Sequence, residues 1–135
     1  MLLTGSDVVA KDVRFNRDVR PILAANCFHC HGPDEGQRQA ELRFDEEAGI
    51  NKSFAGGLAK SEAWTRITSK DPDEKMPPAD SHLELKAEQI ATIRQWVEQG
   101  AAWEGHWSFI APAKPAVPTV KAKAWVRNPI DAFIL

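Results

Sequence analysis

Both cysteines of the chain and two of its four histidines fall within one short stretch, NCFHCHGPD, residues 26–34. This Cys-x-x-Cys-His array is the strongest constraint on the fold, since Cys27, Cys30 and His31 are held together by a haem, a metal ion, a disulfide, or nothing. Two cysteines cannot supply the several bridges of a disulfide-built scaffold, so their role is local. A zinc site would need two further ligands, and His29, His82 and His106 are not spaced as a second pair. A thioredoxin-type dithiol would follow a βαβ pattern, and none is visible. The same array is the attachment sequence of c-type haem. Thiols spaced about one helical turn apart add to two vinyl groups on one porphyrin edge, and the adjacent imidazole reaches the iron. On this reading Cys27 and Cys30 are the thioether positions and His31 is the proximal ligand, with half a zinc site or a redox or idle thiol pair as the alternatives.

The segments around the motif read as short helices. In FNRDVRPILAANC, Phe15, Val19, Ile22 and Leu23 recur at helical spacing. Asn16 or Asp18 is placed to cap this helix, and the Asp18 cap puts Pro21 in the first turn, where its missing N–H costs little. GPDEGQRQAELRF, with Gly32, Pro33 and Gly36, reads as a loop closing over something, followed by a small apolar patch at Leu42 and Phe44. DEEAGINKSF offers one or two helical turns. SEAWTRITS offers a Ser61 cap and a stripe of Trp64, Ile67 and Thr68, and the prolines of KDPDEKMPPADS stop it. The clearest helix is KAEQIATIRQWVEQGA, with Ala87, Ile90, Ile93 (or Arg94) and Val97 on one face and Gly100 as its C-terminal cap. Its start is poorly signalled, because Leu85 and Lys86 stand where Ser, Thr or Asp is expected. Beyond it, AAWEGHWSFIAPAKPAVPTV is rich in Pro and Trp and reads as extended linker.

A haem that transfers electrons usually has a second axial ligand, commonly Met. Apart from Met1 the chain has one methionine, Met76, in the proline-stiffened loop DEKMPPAD and outside any apolar stripe. It reads as a loop-borne sixth ligand, with His82 as rival. The Pro33 carbonyl is placed to accept His31 Nδ1–H and so fix its tautomer. Arg20, Arg38, Arg43 and Arg66 are candidates for the haem carboxylates. His29 reads as exposed and Phe28 as cover for a haem edge. Trp64, Trp96, Trp103, Trp107 and Trp125 read as packing residues, Trp96 bracing the Phe15-bearing helix. The acidic run at 45–47 and the DPDE loop read as solvated faces.

Composition narrows the classes further. At 135 residues with 43% apolar content the chain suffices for one compact core. Its 17 basic and 19 acidic residues are interspersed, for a net charge of −2, so it lacks the basic patch of a nucleic-acid binder. No apolar stretch approaches the roughly 20 residues of a membrane span. The start MLLTGSDVVAKD does not read as a signal peptide, and NPIDAFIL ends as an apolar helical pattern begins, so the expectation is a piece of something longer. No constellation of nucleophile, base and orienting group points to catalysis by side chains.

The order of segments FNRDVRPILAANCFHCHGPD, AELRFDEEAG, ITSKDPDEKMPP and IRQWVEQGAAWEGHWSF resembles the planctomycete-type cytochrome c domain from about Phe15 to Trp107. The stretch from His106 onward looks like the opening of the domain that follows it in that family's large secreted or cell-surface proteins. The resemblance implies a mainly α, class I cytochrome c-like helical fold around one covalent haem c, with the extended Pro/Trp-rich segment at the C-terminus. It carries Cys27, Cys30, His31 and Met76 over as attachment and axial positions, and it implies a periplasmic or extracellular location. The region INKSFAGGLAKSEAW is shorter than the family's usual one, so a different distal wall is expected. Residues 1–12 are then a flexible lead-in, 13–105 the haem domain, and 106–135 a linker and the start of a further domain. The function expected is one-electron transfer with a redox protein or an adjacent domain of the same polypeptide. An interaction module with structural or no haem is the alternative, as is a sensor or peroxidase-like site with an open sixth position.

Overall fold

In a computed structural model, which describes residues 12–135, the helix leading into the cysteine motif begins as a π-turn, Phe15–Val19, and continues as α1, Arg20–Asn26. The wide turn has a local cause. Pro21 cannot donate to the carbonyl four residues back, and just before it the Arg20 N–H reaches Phe15 O instead, so the helix loosens at the proline rather than breaking. The helix therefore starts earlier than the expected Asn16 or Asp18 cap. Its N-cap position is Arg14, and Asp18 acts from within the first turn, accepting the Arg14 N–H at 2.9 Å. The lead-in residues 1–11 lie outside the described residues.

Three more helices enclose the core: α2, Glu47–Phe54; α3, Glu62–Thr68; and α4, Ala87–Glu98. Ser61 caps α3 as expected, its Oγ accepting the Trp64 N–H at 3.0 Å. The weak start of α4 has a different remedy: Gln89 Oε1 reaches back to the Lys86 N–H at 2.8 Å. At its end Gly100 takes φ +99°, which lets Gly100 N–H return to Val97 O and Ala101 N–H to Trp96 O, the two bonds of a Schellman turn. Ile93, Trp96 and Val97 form its buried face. Arg94, the other expectation, is exposed and pairs with Glu98 at 3.0 Å. No strand occurs among the described residues, and the fold is mainly α.

The core is a file of rings flanked by aliphatic side chains. Trp103 lies tilted against Phe15 at 4.4 Å between centroids, Phe15 meets Trp96 at 5.6 Å, Trp96 meets Phe54 at 5.3 Å, and Phe54 meets Phe44 at 5.2 Å. Val19, Leu23, Ile50 and Ile93 fill in around them at 0% exposure. The expected brace of Trp96 on the Phe15-bearing helix is thus present. Trp107 and Trp125 are not packing residues: they are 70% and 54% exposed, on a C-terminal segment that contains short 3-10 turns at Trp107–Phe109 and Lys123–Trp125 and ends in α5, Asp131–Ile134.

Candidate functional site

The motif continues the helical path past Asn26. Cys27 N–H donates to Leu23 O at 2.7 Å, Cys30 N–H to Cys27 O at 3.1 Å, and His31 N–H to Cys27 O at 2.7 Å. A further tight turn is therefore stacked on α1. Cys27, Cys30 and His31 all line one cleft of about 320 Å³, whereas His29 is exposed and Phe28, outside the cleft lining, is half-buried against the core. Gly32 follows because the chain passes close there: a Cβ on it would stand 2.2 Å from Phe28 O.

The loop after the motif does close back. Gln39 N–H donates to Cys30 O at 2.7 Å and Phe44 N–H to His31 O at 2.8 Å. This return delivers the acceptor for the imidazole: His31 Nδ1 lies 3.3 Å from Gln39 O. The expectation that Pro33 plays this part is corrected. The Pro33 carbonyl is taken by Arg38 Nη2 at 3.0 Å, while Arg38 Nε binds Gly32 O at 3.1 Å. A donor at Nδ1 leaves Nε2 as the lone-pair nitrogen, the form that binds a metal. Burial holds the His31 pKa below its ordinary 6.5, partly countered by Gln39 O and reinforced by the Arg66 charge, so the neutral ring is favoured. Burial, with Cys30 nearby, pushes the Cys27 thiol up to about 12.

The rest of the cleft is largely apolar, with Glu62 and Arg66 of α3 as its charged lining residues. Leu42, Phe44 and Phe54 contribute to it, and so does the Met76–Pro78 segment, whose Met76–Pro77 peptide is cis. Met76 is held by the last turn of α3, its N–H donating to Arg66 O at 3.1 Å. The structure therefore brings the one internal methionine into the cleft that holds the cysteines and His31. His82 is corrected as a rival: it is exposed, and Ser81 and Leu83 on either side line the cleft while it does not. Arg43 is corrected as a cleft residue as well. Its Nε donates to Asp45 at 3.1 Å and its Nη1 lies 2.7 Å from Glu46, outside the cleft lining. That pair also holds the Asp45 carboxyl below its ordinary range, so the 45–47 run is not merely solvated.

Cys27 and Cys30 are not joined in a disulfide, and among the described residues no group of three or more His, Cys, Asp or Glu is arranged to hold a metal ion. Two thiols one turn apart, a neutral imidazole with its Nδ1 engaged, a thioether and an apolar lining fit a planar, largely apolar macrocycle carrying a metal. Gln39 was missed by sequence reasoning because it acts through its main-chain carbonyl, which no side-chain pattern announces. Among the described residues no helix is long and apolar enough to cross a membrane.

No curated protein and no solved structure matches the chain. Residues 27–80 match the family model described as Planctomycete cytochrome C, the family to which the motif order points, and these residues include Cys27, Cys30, His31 and Met76.

Proposed function

We propose that the chain carries one covalent haem c in this cleft and transfers single electrons in an extracytoplasmic setting. The observation that carries the reading is the convergence of the Cys27, Cys30 and His31 turn with Met76, from a separate segment of the chain, on one largely apolar cleft. Cys27 and Cys30 hold the porphyrin edge by thioethers. His31 offers Nε2 to the iron, its ring oriented by Gln39 O. Met76 would offer its thioether as a further ligand, its backbone held by the bond to Arg66 O. The haem supplies the one-electron chemistry, and the residues around it set the ligands and exclude water. The haem unit covers residues 13–105, a span supported by the last ties to its first helix, where Glu104 and Gly105 bind Asn16. The electron partner is a redox protein or an adjacent domain of the same polypeptide.

The test is expression of the full chain with haem c attachment machinery in an oxidising compartment, followed by intact mass and absorption spectra. A covalent mass increment of one haem with sharp reduced α and β bands is expected. Apoprotein mass under conditions that mature a known cytochrome c would overturn the proposal in favour of a haem-free interaction module.

A further inference from the structure

Four arginines could meet a haem carboxylate, and the structure separates them. Arg38 is spent on the Gly32 and Pro33 carbonyls, with its side chain only 12% exposed. Arg43 is shared between Asp45 and Glu46. Arg20 lies on a different groove, formed with Arg14, Arg17 and the segment near Pro112. Arg66 alone lines the cleft, and among the described residues it is the only Arg or Lys that does so. Its competing partner is weak: Glu62 Oε1 lies 3.2 Å away, but the two side chains are 43% and 71% exposed, so this pair yields readily to another carboxylate.

We propose that Arg66 is the carboxylate-binding residue of the cleft, pairing with a carboxylate of the bound porphyrin and thereby fixing which way round it enters. The inference rests on the haem reading above and adds a residue to it. Glu62 lines the cleft as well, but as a weakly held partner; a guanidinium that can exchange it for another carboxylate in a largely apolar cleft selects a ligand with an apolar body and an acidic group. The position has a second consequence, because the same residue holds Met76 through its main-chain carbonyl, so carboxylate anchoring and placement of the thioether meet at one turn of α3. That backbone bond survives substitution of the side chain. Arg66→Gln therefore removes the cation while leaving the Met76 tether in place.

The experiment uses the full chain with Cys27→Ala and Cys30→Ala, so that binding is reversible, and compares haemin with haemin dimethyl ester, which lacks the acidic groups. Arg66→Gln should weaken haemin by about tenfold or more and leave the ester unchanged, whereas Arg66→Lys should recover part of the loss. Glu62→Gln should hold or tighten haemin binding, because it frees the guanidinium and removes a like charge. An equal loss for acid and ester would assign Arg66 a purely structural role, and no loss would remove it from the site; either result overturns the inference while the haem reading stands. If the chain with Arg66 intact binds neither ligand, the inference and the haem reading fail together.

Discussion

The carboxylate of Glu104 accepts the backbone N–H of Asn16 at 2.8 Å across 88 residues of chain. Its other oxygen takes Arg14 Nε and Nη2 at 2.9 and 2.6 Å. Glu104 thus satisfies a free N–H at the start of the first helix, the part that a local Asn or Asp was expected to play. Burial opposes ionisation there, but the Asn16 N–H and Arg14 outweigh it and hold the carboxyl below its ordinary 4.5. Because the folded pKa is the lower one, this stabilisation is present above 4.5 and is lost as pH falls through the folded value. Glu104→Gln should cost about 1–3 kcal/mol at pH 7 and flatten the acid limb of a urea-unfolding series, with the variant and the parent converging at low pH.

Trp96 sits at the centre of the ring file, 1% exposed, with its indole N–H on Ala102 O at 3.0 Å. Trp96→Ala leaves a cavity between Phe15 and Phe54 that neither ring can fill without leaving its own neighbours. A loss of about 3–5 kcal/mol is expected in denaturant unfolding, against a smaller one for Trp96→Phe, which keeps most of the volume but loses the bond to Ala102 O. Equal losses for the two variants would place the energy in the hydrogen bond rather than the packing.

The Cys27 thiol, raised to about 12 from an ordinary 9.0, predicts an inert sulfur in the unloaded chain. Three pKa units correspond to about a thousandfold less thiolate at neutral pH, and the thiolate is the reactive form. With Cys30→Ser as background, alkylation of Cys27 by iodoacetamide at pH 8 should be far slower in the native chain than in urea. The sign for stability follows. The folded chain keeps a proton that the unfolded one releases, so stability is intact below pH 9 and is lost as pH rises toward 12. Cys27→Ala should remove that alkaline slope, as read by unfolding midpoints between pH 8 and pH 10.

What could be read from the sequence was what side chains do for their own helix. Ser61 and Gly100 cap helix ends within a turn of themselves, and Ile93 and Val97 recur at the period of their own helix, so these signals are written locally. Roles borrowed from a distance were not. Pro33 was chosen by proximity to His31, but Arg38 claims its carbonyl and the chain returns Gln39 O instead. Arg43 was chosen by residue type, although Asp45 and Glu46, two and three positions on, are better placed to hold it than any ligand. Met76 was legible by elimination, as the one internal methionine and outside every apolar stripe. Nothing in its own neighbourhood signalled that the end of α3 would hold it at the cleft.

Met76 also gives the most direct test of the second axial position. A thioether ligand raises the reduction potential of a haem relative to water or a second imidazole in the same place. In the haem-loaded chain Met76→Ala should therefore lower the midpoint potential, abolish the weak long-wavelength band of Met–iron ligation, and convert the spectrum toward high spin. Met76→His should restore a low-spin spectrum at a lower potential than the parent. The substitution removes only the side chain, because the N–H of residue 76 still reaches Arg66 O. Loss of the band thus reports the ligand and not collapse of the loop. A parent spectrum that is already high spin, and that Met76→Ala leaves unchanged, would mean that the thioether stands off the iron. The cleft would then carry an open sixth position suited to a small ligand or a peroxide.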